Sequence, residues 1–180
     1  MTRPALPRLL VTLILLSALT GCGGGIATLE RTLSLWRSGQ TDAALARATV
    51  EYQRFQAAND LNEATTRDRA QALATQVDEV PIVARGEGLG LSPLERVSEG
   101  TNTLNTELRA DLLSHEASRV ARGLGVVGGL SLHQHATIVI ALIYSQRVVV
   151  DDGGVLKGLD DAQRSVTIKR MALDTLERLK

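Results

Sequence analysis

The chain has 180 residues, 44% of them hydrophobic and 22% charged, with 20 basic side chains against 20 acidic ones, which suits one small globular domain. Zero net charge excludes a general nucleic-acid binder, which needs surplus Lys and Arg to displace counterions; four aromatics (Trp36, Tyr52, Phe55, Tyr144) are too few for base-stacking platforms. One cysteine, Cys22, excludes an internal disulfide and a thiolate zinc cluster.

The N-terminus carries the strongest pattern. Arg3 and Arg8 make a basic start, Leu9 to Leu16 an apolar run, and small residues follow up to Cys22. That is the layout of a secretory signal, too short and wrongly flanked for a stable transmembrane helix. Its last four residues, Leu19-Thr20-Gly21-Cys22, resemble the lipobox of bacterial lipoproteins. The resemblance implies that residues 1–21 are removed and that Cys22 is acylated and holds the chain on a lipid bilayer. Two or more acyl chains anchor stably where one does not, at roughly 0.8 kcal/mol per buried methylene. In that family an aspartate just after the cysteine signals retention in the inner membrane. This chain has Gly23 there, so the resemblance points to the outer membrane, with the domain facing the periplasm. Residues 22–25 are then a lipidated glycine tether, and 26–180 form the mature domain. Losing Arg3 and Arg8 leaves that domain at a net charge of −2.

Residues 26–38 place Ile26, Leu29, Leu33 and Trp36 on one helical stripe, and Gly39 suits the residue just past a helix C-terminus. Thr41 or Asp42 opens a second helix reaching to about Val80. Its seam runs Leu45, Ala48, Tyr52, Phe55 and then turns polar at Asn59, Asn62, Thr66 and Arg69. That polarity means a break near Asn59-Asp60 or a helix only partly covered. Leu73, Val77 and Val80 restore the stripe before Pro81. The hairpin around Gly39, with Ala44, resembles one tetratricopeptide unit. No second copy follows about 34 residues later, as a repeat array requires, so an antiparallel helix pair is the better reading.

Gly86, Gly88 and Gly90 lack the Lys-Ser or Lys-Thr of a phosphate loop, whereas Ser92-Pro93-Leu94-Glu95 reads as a capping box with proline in the first turn. A helix is expected over 103–122, with Leu104, Leu108, Leu112, Ala117 and Val120 inward, closed by Gly123 and Gly125. Residues 124–146 contain no Lys, Arg, Asp or Glu, and form a buried helix, a strand or a membrane segment. Arg147 to Lys157 suits a hairpin around Asp152-Gly153, leaving room for a small β element over 137–157. Asp160 and Asp161 suit a helix N-terminus; Ile168, Met171, Ala172, Leu176 and Leu179 give that helix, 160–179, its apolar stripe. The fold class is mainly α: a helical bundle or set of helical hairpins burying Leu45, Phe55, Leu108, Leu112, Ile140, Met171 and Leu176.

Candidate chemistry is thin. His133 and His135, two apart, share a face on a strand but diverge on a helix, and neither His115 nor Cys22 completes a metal site. Asp151-Asp152 and Asp160-Asp161 mark turns and helix starts more than acid–base couples. Ser131 lacks the flanking glycine of a nucleophile elbow, and the charges around Arg67-Asp68-Arg69 suit a solvated face. No catalytic, cofactor or metal residue is assigned, and no enzyme is expected; the one site is lipidation at Cys22. The sequence predicts an outer-membrane lipoprotein whose periplasmic domain binds or scaffolds another envelope protein. The alternative is a membrane-bridging lipoprotein with a transmembrane passage at 124–146, a layout that resembles unimolecular phage spanins.

Overall fold

The computed structural model describes residues 24–78, 104–150 and 153–180. They form a mainly α, bundle-like fold of seven α-helices, with no strand among the described residues. The helices are α1 (Gly24–Arg37), α2 (Thr41–Ala58), α3 (Glu63–Asp78), α4 (104–112), α5 (Ala117–Gly129), α6 (Ala136–Tyr144) and α7 (Asp161–Arg178). Single 3-10 turns at His133–His135 and Gly154–Leu156 precede α6 and α7.

The C-terminal helix organises the rest: α7 packs against α2, α3, α5 and α6, while α6 also touches α1 and α2. The reason is visible in its stripe. Ile168, Met171, Ala172, Leu176 and Leu179 are all buried, so one face of α7 serves several neighbours at once. Leu108, Leu112, Ile140, Met171 and Leu176 lie in the core as expected. Leu45 and Phe55 are only half-buried against it, and in α2 the deepest positions are Ala44, Ala48 and Tyr52. On α1, Leu29, Leu33 and Trp36 pack on the core, but Ile26 is 66% exposed. Buried Thr32 holds this helix to α6 through its hydroxyl, 2.7 Å from the Tyr144 hydroxyl.

Helix ends follow local chemistry. Gly39 sits at φ +77°, where a left-handed residue ends α1; its N–H donates to Trp36 O and that of Gln40 to Leu35 O, a Schellman closure. Of the two readings of the polar seam, the break near Asn59-Asp60 is the one found, so the run from Thr41 to Asp78 is two helices. Asp60 adopts φ 51°, and the Leu61 N–H returns to Gln56 O, ending α2 in the same way. Asn62 then caps α3 by accepting from Thr65 N at 3.0 Å. At α7 the Asp160 carboxylate accepts from Gln163 N while the Gln163 side chain accepts from Asp160 N, a complete capping box.

The expected helix 103–122 is also two helices, α4 and α5, separated by residues 113–116. Gly123 and Gly125 do not close it, because α5 runs on to Gly129. Gly123 and Gly128 serve as spacers instead: a Cβ on Gly123 would come within 3.1 Å of Leu112, and one on Gly128 within 3.3 Å of Arg178. Bare backbone there lets α4 and α7 approach α5. Asp111, buried on α4, ties the α4–α5 pair by accepting from Arg119 Nε at 3.0 Å and Arg122 Nε at 2.8 Å.

Residues 124–146 are divided between α5, α6 and the turn that joins them. The apolar run is cut by a left-handed Ser131 (φ 51°) and the His133–His135 turn, and α6 buries Ala136, Val139, Ile140, Leu142 and Ile143. Among the described residues no helix is long and apolar enough to cross a membrane. The β element expected over 137–157 reduces to an isolated parallel bridge between Glu116 and Val150. Val155 lies in a 3-10 turn rather than a return strand, and Asp151-Asp152 lie outside the described residues. So do the signal segment, Cys22, the glycine cluster at 86–90 and the Ser92–Glu95 box. Gly24 and Gly25, assigned to the tether, form the first turn of α1.

Candidate binding cleft

Of the residues singled out in the sequence, His133 and His135 are placed apart. His133 is exposed; His135 is buried with Nε2 3.1 Å from Asn105 Oδ1, and burial, then the charge of Arg109, holds its pKa below the usual value. His115 lends its backbone carbonyl to Val150 N and its side chain to solvent. Among the described residues no group of three His, Cys, Asp or Glu side chains is placed to hold a metal ion. Asp160 is a helix cap and Asp161 pairs with Arg164.

The polar chemistry gathers elsewhere, around Glu63 at the start of α3. Its Oε2 accepts from the Tyr52 hydroxyl at 2.6 Å and from Gln56 Nε2 at 2.7 Å, both on α2. Its Oε1 accepts from Arg170 of α7 at 2.8 Å. Arg170 also donates to Asp174 Oδ1 at 2.6 Å, and its guanidinium lies 6.0 Å from the centre of the Tyr52 ring. Burial first, then the Glu63 carboxylate, pushes the Tyr52 phenol far above its ordinary range. Burial penalises the Arg170 charge, but the Asp174 hydrogen bond and the two carboxylates outweigh that and raise its pKa. The network fixes one arginine in place while its Nε is buried with no acceptor among the described residues, an uncommon state for a buried donor.

In front of this network lies a cleft of about 470 Å³. One face of α3 contributes Arg67, Ala70, Gln71 and Ala74, at helical spacing. One face of α7 contributes Arg170, Met171, Asp174, Thr175 and Arg178, and α5 adds only Gly125. Arg67 is 61% exposed and reaches Glu63 at no closer than 3.6 Å. Arg178 is exposed and has no ion-pair or hydrogen-bond partner among the described residues. Counting Glu63 and Asp174 against the three arginines leaves the cleft one positive charge in excess. Its size is within the usual 300–1,000 Å³ of small-molecule sites.

A second unusual group is Lys169, 4% exposed. Its Nζ donates to Ile143 O and Ser145 O, each at 2.5 Å, at the C-terminus of α6, and sits 4.8 Å from the centre of the Phe55 ring. A cation there complements the negative end of the α6 dipole. Burial pushes its pKa down to about 8, against a smaller upward pull from Glu51. Ser145 and Ser165 flank it, the residue types of a serine–lysine hydrolase, but the space they enclose is about 10 Å³. That is room for about one water, so the lysine serves α6 rather than a substrate.

None of these groups was assigned a site from the sequence. The sequence places Arg67 among charges that suit a solvated face and gives Arg178 no role. A usable signal was there: Arg170, Asp174 and Arg178 recur every four residues beside the apolar stripe of α7, a charged row on the margin of a buried face.

No known protein family, no curated protein and no solved structure matches the chain.

Proposed function

We propose that the chain is a lipid-anchored protein of the bacterial envelope. It is held at the outer membrane by acylated Cys22, and its periplasmic helical domain binds another envelope component rather than catalysing a reaction. The observation that carries this reading is Leu19-Thr20-Gly21-Cys22 closing an apolar run. In support, the chain is already helical at Gly24, so folded structure is present two residues beyond the cysteine. A two-residue connection, reaching at most about 3.3–3.6 Å per residue, would keep the domain close to the bilayer surface.

The binding role is supported by the cleft between α3 and α7, which presents arginines to solvent instead of pairing them all internally. The membrane-bridging alternative needs a span at 124–146, and there α5 ends at Gly129 and a separate helix, α6, begins at Ala136.

Membrane fractionation tests the anchor. Wild-type chain should sediment with outer-membrane vesicles, and Cys22→Ser should accumulate as uncleaved precursor at the inner membrane or appear in the soluble fraction. Unchanged outer-membrane recovery of Cys22→Ser at equal yield would overturn the reading.

A further inference from the structure

We propose that the cleft between α3 and α7 is a binding site for a compact oxyanion, the phosphate or carboxylate of a small organic ligand. This deepens the binding-domain reading, on which it rests, and it holds whether or not Cys22 is acylated. Arginines from two helices line one void: Arg67 from α3, and Arg170 and Arg178 from α7. Planar guanidinium forks match the paired oxygens of carboxylate and phosphate, and such charge-assisted hydrogen bonds are roughly twice as strong as neutral ones.

The three arginines are not equivalent. Arg170 is locked by Glu63 and Asp174, so it supplies a fixed positive wall. Arg67 has only a 3.6 Å ion pair, and Arg178 has no partner among the described residues. Those two are the groups with hydrogen bonds to give, and a bound anion would take them. A surplus of one positive charge suits one anionic group. Ala70, Ala74 and Met171 offer apolar surface beside it, which suits a short carbon skeleton attached to that group. Gly125 faces the void without a side chain to fill it. A purely structural role would leave Arg178 acting on the α7 dipole alone, and that role does not require Arg67 across the cleft.

The test is a titration of the full chain in a nonionic detergent, read by NMR from the arginine Nε–Hε signals. The probes are inorganic phosphate for a free anion, glycerol 3-phosphate for a lipid headgroup, and succinate for a carboxylate ligand. Saturable shifts of Arg67 and Arg178 with any one probe support the site, and the strongest probe identifies the source. Arg178→Gln should weaken that binding about tenfold, the loss of one charge-assisted contact, and Arg67→Gln should weaken it as well. Arg37→Gln removes the same charge from α1, away from the cleft, and should leave affinity unchanged. The Arg67 and Arg178 side chains are exposed, so both variants should stay folded, with thermal midpoints within a few degrees of wild type. Shifts that never saturate with any probe, or an equal loss in Arg37→Gln, would overturn the proposal.

Discussion

Lys169 makes stability depend on pH in a direction opposite to the usual alkaline weakening. Its pKa is about 8 in the folded chain and about 10.4 when unfolded. Below pH 8 both states carry the proton and the contribution is flat. Between 8 and 10.4 the unfolded chain binds more protons, so stability rises with pH. From pH 7 to 9.5 the gain from this one group works out at about 2 kcal/mol. Above pH 10 the phenols of Tyr52 and Tyr144 oppose it: both are held above their ordinary values, chiefly by burial, so there the folded chain keeps protons the unfolded one loses. The measurement is urea unfolding at pH 7 and 9.5 for wild type and Lys169→Met, whose side chain matches the stem but cannot titrate. The wild-type free energy should gain about 2 kcal/mol relative to the variant across that interval. Parallel pH profiles would refute the argument that the ammonium group is desolvated beneath α6.

Three packing predictions follow from the same contacts. Leu176→Ala, at a fully buried position of α7, should cost about 2–5 kcal/mol by chemical denaturation. Gly123→Ala should destabilise by about 1–3 kcal/mol despite alanine's better helix propensity, because the new methyl would crowd Leu112 and the Asp111 Cβ; a gain in stability would mean that α4 moves freely on α5. Asp160→Ala removes the capping box of α7 and should cost about 0.5–2 kcal/mol, readable as a lower denaturation midpoint.

Where periodicity was strong the sequence predicted the fold well. The α7 stripe and the cap at Asp160 stand as expected because one local pattern and one burial pattern coincide there. Gly39 was legible for the same reason, since a left-handed position past an apolar stripe favours glycine. The break at Asn59-Asp60 was legible from its polarity, whereas the helix end expected at Gly123 and Gly125 falls at residues 113–116 instead. Asp60 and Ser131 take the left-handed conformation themselves, while Gly123 and Gly128 sit inside α5 as contact surfaces. A glycine that ends a helix and one that admits a neighbour look alike in a sequence; only tertiary packing separates them. The cleft was illegible because it requires Arg67 and Arg178, 111 positions apart, to meet across a groove between two helices. The lipobox belongs to the opposite class, a contiguous signal whose meaning does not depend on the fold.

The most direct test of the account is the intact mass of the N-terminal peptide from chain isolated from bacterial membranes. The account predicts a peptide that begins at Cys22 and carries at least two acyl chains, with the remainder of the sequence unmodified. A free Cys22 thiol, or an N-terminus at any other residue, would contradict it.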